Sequence, residues 1–256
     1  MEMRRLIFTF IVFLSSNIFA SELHLSHQYL HINNTGKAGH FSHVAIKTHA
    51  NEDIQFGLTA NYLERFDFYE TNLGPQLIFK LNERISVEAK YLKAKSGSEI
   101  LAQDQYLLSV YMSHSPGYSS ALTYQNSKYS LTHVQWLRWG LEIEKFKHLI
   151  IIPYALVGQA HFHDPFSSRE INSFGAKIIS QHVDQYRFLL FASKGIEASQ
   201  GIIGRSSQTI ETKTIGGGIG RNLSNDIKLD ALFDYTDLGK LNNQFLTTTL
   251  NLNWKF

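Results

Sequence analysis

The chain of 256 residues has no cysteine. That excludes a disulfide framework and also a lipoprotein anchor, which needs an acylated Cys at the mature N-terminus. Proline is scarce, with four residues, and no run of 18 or more apolar residues occurs, so a membrane-spanning helix is excluded. Neither sign of charge dominates: formal net charge is +2, which makes no whole-chain case for nucleic acid. Period-3.6 stripes of useful length are missing as well. What is present is alternation, together with an aromatic content of 13%.

The first residues are laid out as a secretory signal peptide: Arg4 and Arg5, an apolar run from Leu6 to Leu14, then small and polar residues. Nine residues, Thr9 among them, are too few to span the roughly 30 Å of hydrocarbon as a helix. Cleavage after Ala20 puts Ala at −1 and Ile18 at −3. The expected organisation is therefore a leader over residues 1–20 and one domain over 21–256. Removing the leader leaves 22 basic and 21 acidic residues.

Period-two alternation recurs through the rest. In "IQFGLTANYL", Ile54, Phe56, Leu58, Ala60 and Tyr62 share one face, opposite Gln55, Gly57, Thr59 and Asn61. "PQLIFKLNERISVEAKY" sets Leu77, Phe79, Leu81, Ile85, Val87, Ala89 and Tyr91 against Gln76, Lys80, Glu88 and Lys90. "NDIKLDALFDY" opposes Ile227, Leu229, Ala231, Phe233 and Tyr235 to Lys228, Asp230 and Asp234. Short polar breaks fall near residues 51–53, 82–84, 114–117, 145–148, 181–185 and 222–226. Longer ones fall at 33–40, 64–72, 95–103, 127–133, 163–169, 195–208 and 236–243. Seven long and six short connections make about fourteen antiparallel strands, with twelve or sixteen as the neighbouring counts. The 236 residues after the leader give about 17 per strand and loop, which suits tilted strands of roughly 9–11 spanning residues.

One hydrophobic core does not need fourteen strands that each keep a full polar face. A closed, up-and-down, all-β transmembrane barrel does, because lipid takes the apolar face and the lumen takes the other. The last strand, "NQFLTTTLNLNWKF", carries Leu246, Thr248, Leu250, Leu252, Trp254 and Phe256 on one face and ends on an aromatic residue. Leu250, Leu252, Trp254 and Phe256 are the signal expected to be read by the barrel-assembly machinery of a Gram-negative outer membrane. Tyr62, Tyr91, Tyr235 and Trp254 near strand ends fit interfacial girdles. The competing arrangement is a soluble β-sandwich or lipocalin-like barrel.

The stretches "FASKGIEAS" (191–199) and "TIGGGIGRNLSNDIKLDALFDYTDLGKLNNQFLTTTLNLNWKF" (214–256) resemble the YaiO family of outer-membrane β-barrel proteins. The shared features are the Ser193–Lys194–Gly195 step, a Gly-rich penultimate hairpin and the final "LNWKF". The resemblance implies location and fold and carries over no catalytic residues.

Four constellations bear on chemistry. "HFHD" places His161, His163 and Asp164 at a strand end beside a long loop, with His161 and His163 expected on the lumen face with Gln159; this is a weak metal candidate against a plain polar strand end. A lipid-modifying enzyme needs Ser beside His on the lipid face. His27 and His31 face outward on the first strand, but the last strand offers Leu246 and Thr248, and "SHSPGYSS" (113–120) sits at a short turn. No enzymatic activity and no cofactor are expected. "TIGGGIG" (214–220) has the wrong spacing for a phosphate loop, and such glycines permit bends or close packing. Finally, parity directs Lys47, Arg65, Lys80, Lys90, Arg138, Lys177, Arg187, Lys228 and Lys255 into the lumen, with Glu88, Glu142, Glu144, Asp230 and Asp234. These charges either pair across strands and fill the interior, or line a passage with a modest positive surplus.

Two function classes follow. One is a porin-like pore or accessory component that passes small polar or anionic solutes or glycans. The other is a structural or interaction barrel with a filled lumen. Outer-membrane lipid and the assembly machinery are the expected partners, nucleic acid is not, and the sequence leaves oligomeric state open.

Overall fold

Strand closure, rather than a buried core, organises the chain. The computed structural model describes residues 20–33, 36, 38–65, 68–94, 101–162, 168–181, 186–199, 208–239 and 244–256. The expected leader lies outside these residues except for Ala20, which opens β1. Fourteen strands follow: β1 (Ala20–Ile32), β2 (Ala38–His49), β3 (Ile54–Arg65), β4 (Phe68–Asn82), β5 (Ile85–Ala94), β6 (Asp104–Ser115) and β7 (Tyr118–Lys128). The second half comprises β8 (Thr132–Phe146), β9 (Leu149–Phe162), β10 (Ser168–Gln181), β11 (Tyr186–Ser199), β12 (Gln208–Asn222), β13 (Ile227–Asp237) and β14 (Gln244–Lys255). Each strand pairs antiparallel with its sequence neighbours, and β14 pairs with β1 from Glu22↔Lys255 to Ile32↔Phe245. The sheet therefore has no free edge, which satisfies the backbone without water. No helix among the described residues is long and apolar enough to cross a membrane.

Side-chain alternation decides which way each residue faces. On β3, Phe56 is 52% exposed while Thr59 is fully buried. Leu73, Leu108, Trp139, Val157, Leu190, Ile215, Phe233 and Leu250 continue the exposed apolar face around the cylinder. Such a face is favourable in hydrocarbon and costly in water. The Trp254 and Phe256 rings meet at a tilt, 4.9 Å between centroids, where β14 ends.

Turn chemistry is repeated at one end of the barrel. Asn51 Oδ1 accepts the N–H groups of Asp53 (2.9 Å) and Ile54 (2.8 Å). Asn82 Oδ1 accepts those of Arg84 (2.8 Å) and Ile85 (2.9 Å), and Ser224 Oγ those of Asp226 (3.2 Å) and Ile227 (3.1 Å). Short polar side chains thus replace backbone partners that a tight reversal leaves unpaired. Gly117 (φ 80°) and His148 (φ 66°) hold the left-handed conformation in the two-residue turns after β6 and β8.

The connections at the opposite end differ from expectation in two places. Residues 64–72 are not a long loop: β3 runs to Arg65, β4 starts at Phe68, and Arg65 pairs with Phe68. Tyr69 is exposed while Glu70 and Asn72 are buried, so the polar composition reflects a strand with a polar inner face. Likewise only residues 129–131 separate β7 from β8.

Inward glycines on β12 make room for neighbours. A Cβ on Gly216 would collide with the Phe191 ring, and one on Gly220 with Asp230 Oδ1. Gly216→Val is therefore expected to destabilise the barrel by about 1–3 kcal/mol through overpacking. The urea midpoint of the refolded protein, followed by the gel-mobility shift of folded barrels, checks this; an unchanged midpoint contradicts the packing assigned to Phe191.

Candidate functional site: the barrel lumen

The interior divides into a packed half and a wet half. Towards the longer connections, Ile32, Ile210, Leu238 and Phe245 form a buried cluster with Leu30, and Val134, Ala160 and Ile171 form another with Trp136, Leu156 and Phe162. These are inward residues, so β9 is apolar on both faces, and β8 and β10 add Val134, Trp136 and Ile171 to its inner side at this end. A purely polar lumen, as parity arguments implied, is thus corrected: burial at this end is achieved by filling. Arg65 belongs to this packed end, its guanidinium 5.7 Å from the Phe245 ring centroid.

A polar ladder runs beneath the clusters. His24 Nδ1 lies 2.5 Å from Asn253 Oδ1, and the His24 and His43 rings meet edge-on at 5.4 Å. His43 Nδ1 lies 2.6 Å from Asn61 Oδ1, and Asn61 Nδ2 donates to Asn72 Oδ1 at 2.7 Å. Gln76 Nε2 (2.7 Å) and Tyr111 Oη (2.9 Å) both donate to the Glu88 carboxylate. Polar groups that satisfy one another in this way stiffen the wall.

Two cavities occupy the short-turn end. The larger, about 600 Å³, is lined by Lys80, Arg84 and Arg138 and by Glu52, Asp53, Glu83 and Glu142, so acids exceed bases by one. Arg138 also lies over the Tyr154 ring, 4.3 Å from its centroid. The smaller, about 380 Å³, is lined by Lys47, Arg187, Lys228 and Lys255 against Glu22 and Asp226, a surplus of two positive charges. Arg187 Nη2 donates to Asp230 Oδ1 at 2.6 Å, and Lys255 Nζ lies 3.6 Å from a Glu22 oxygen. The remaining parity positions scatter: Lys90 pairs in register with Gln76, Asp234 with Thr247, Lys177 with Ile152, and Glu144 is exposed near the end of β8. Charges that read as one set in sequence thus fall on different walls, Lys80, Arg138 and Glu142 on one and Lys47, Arg187, Lys228 and Lys255 on the other, and the acid excess of the first wall comes from the turn residues Glu52, Asp53 and Glu83.

The histidine constellation is not brought together in the lumen. His161 pairs with His133 across β8 and β9, with ring centroids 6.2 Å apart, on the same outward face as the exposed Val157. The expectation that His161 and Gln159 face the lumen is therefore overturned; the inward residues here are Ala160 and Phe162. His163 and Asp164 lie outside the described residues. Among the described residues no group of three or more metal-ligating side chains occurs.

A juxtaposition missed in the sequence lies on the outer wall: His27 Nδ1 is 3.0 Å from Ser42 Oγ. The signal was there, because Ser42 falls outward by parity on β2, the hairpin partner of β1. Among the described residues no third group orients the imidazole, so the pair lacks the arrangement of an activated nucleophile.

This lumen and wall define a transmembrane-type, closed fourteen-stranded barrel. No family model matches the chain, and no curated protein does. Solved structures do. The monoaromatic hydrocarbon channel CymD superimposes with a TM-score of 0.63 at 11% identity, covering 95% of this chain and 90% of that one. The toluene transporter TbuX of Ralstonia pickettii gives 0.62 at 9%, covering 93% and 90%. A bacterial polysaccharide outer membrane secretin gives 0.59 at 10%, covering 94% and 100%. At these identities the likeness is one of fold.

Arg187 and Asp230 are mostly shielded, so removing one partner strands the other. Arg187→Gln is expected to cost about 2 kcal/mol, and Arg187→Gln with Asp230→Asn clearly less. Urea unfolding of both variants measures the difference; equal losses contradict a coupled pair.

Proposed function

We propose that the chain is an outer-membrane barrel that serves as a pore or transport component for small polar or anionic solutes, glycans included. The observation that carries this reading is the charged, water-accessible half of the lumen, with its two separate cavities inside a closed barrel. Solved barrels of this shape are described as passing hydrocarbons and polysaccharide, so the fold does not select the solute. The lining does. Lysine, arginine and carboxylate side chains suit hydrated or ionic solutes and disfavour hydrocarbons. The positive surplus on the β1–β2 and β11–β14 wall favours anions.

In the same reading residues 1–20 are removed on export, the short turns and both termini face the periplasm, and the final strand engages the assembly machinery through Leu250, Leu252, Trp254 and Phe256. The resemblance to the YaiO family supports this placement. In this reading the chain acts without chemistry of its own; among the described residues no third group orients the His27–Ser42 pair. A second reading, a barrel with a filled lumen that works through its loops, draws support from the buried clusters near the long connections.

Planar-bilayer recording of the refolded protein separates the two. Discrete steps with Cl⁻ favoured over K⁺ are expected. Lys47→Gln with Lys228→Gln should lower that preference several-fold, while Lys80→Gln, Lys90→Gln and Arg138→Gln together, drawn largely from the acid-rich side, should lower it less. Absence of steps above background favours the filled barrel.

A further inference from the structure

The lipid-facing wall is uneven. On β13, four apolar residues face outward in succession: Ile227, Leu229, Ala231 and Phe233. On the β1–β2 hairpin there are two per strand, Leu23 and Leu25 beside Val44 and Ile46, which pack on one another. The cross-strand rows show what replaces the rest. Leu23 and Leu25 are level with Ile227 and Leu229; the row of Ala231 continues Leu250, His27, Ser42, Tyr62, Thr71, and the row of Phe233 continues Thr248, Tyr29, His40, Glu64, Tyr69.

Each outward residue adds about 5 Å of height on a strand tilted by about 40°. The apolar belt is thus roughly 20 Å tall on β13 but only about 10 Å on β1–β2, against the ≈ 25 Å of an ordinary barrel belt. Above it His27 lies 3.0 Å from Ser42, stacks on His40 at 5.5 Å, and His40 meets Tyr29 at 5.1 Å. Tyr62 Oη donates to Glu64 at 3.4 Å, at the patch's far edge. Polar groups in this position are costly in hydrocarbon, and a short apolar stretch is accommodated by thinning of the bilayer.

We propose that the outward face of the β1–β2 hairpin is a lipid head-group site, where the outer leaflet dips. The imidazoles of His27 and His40, the Ser42 hydroxyl and the Tyr29 phenol then meet the phosphate and ester oxygens of the lipids. The occupant follows from chemistry: the patch presents hydrogen-bond donors, and head groups are the acceptors that a bilayer itself supplies beside a short belt. This inference rests on the membrane reading above but not on whether the lumen conducts.

The absence of cysteine makes the test direct, because one introduced thiol is the only labelling site. Nitroxide labels at His27→Cys, Ser42→Cys, Phe56→Cys and Phe233→Cys are compared in phosphatidylethanolamine–phosphatidylglycerol vesicles. Collision with a water-soluble nickel chelate is expected to be several-fold higher at 27 and 42 than at 56 and 233, where oxygen collisions dominate. In a His27→Leu, Ser42→Leu background, a label at His40→Cys should lose several-fold of its chelate accessibility as the belt grows by one row. Labels at 27 and 42 that behave like 233 would sink the proposal, placing the patch in hydrocarbon. Shielding from both reagents would overturn it in favour of a covering protein. Chelate accessibility at 56 and 233 as well would overturn the membrane reading itself, and this inference with it.

Discussion

The hydrogen-bonded seam between β1 and β14 is the contact on which the rest depends. Without it, two strands would present unpaired N–H and C=O groups to hydrocarbon, where nothing replaces them. With Leu25 set against Leu252 and Tyr29 against Thr248, every strand has two neighbours. The outward side chains are then free to be apolar, because stability comes from the closed ladder and the lipid rather than from an interior core.

Closure also creates an interior that must be filled or wetted. Fourteen strands enclose more volume than an eight-stranded barrel, whose side chains just fill it. This chain adopts both solutions at different heights. Clusters around Phe245 and Ala160 pack the end near the longer connections, and charged side chains share the opposite end with solvent. Glycines on β12 allow the transition, since Phe191 lies against Gly216 and the Arg187–Asp230 pair against Gly220. The same residues that tighten the wall thereby place an ion pair beside the basic cavity.

Much of the architecture was legible because alternation is a local property. The face of Phe56 or Asp230 follows from parity within its own strand, and Asn51, Asn82 and Ser224 mark reversals through bonds reaching two and three residues ahead. Composition misled where strands are polar on their inner face. The segment 64–72 reads as loop because Glu70 and Asn72 are polar, yet both are buried in the wall. The outward placement of His161 was lost for a related reason: β9 is apolar on both faces, so alternation there carries no sign.

The sequence by itself determined an alternating chain that cannot bury its apolar faces in a core of its own, the number of reversals, and a terminal strand ending on aromatic residues. Those are consequences of spacing along one strand. Only the tertiary structure decided which strands meet and at what height. It put Ser42 beside His27, divided the lumen charges between two walls, and left the hydrophobic belt short at β1–β2. The physical reason is register: contacts between strands depend on how a tilted sheet closes on itself, and no single strand contains that information.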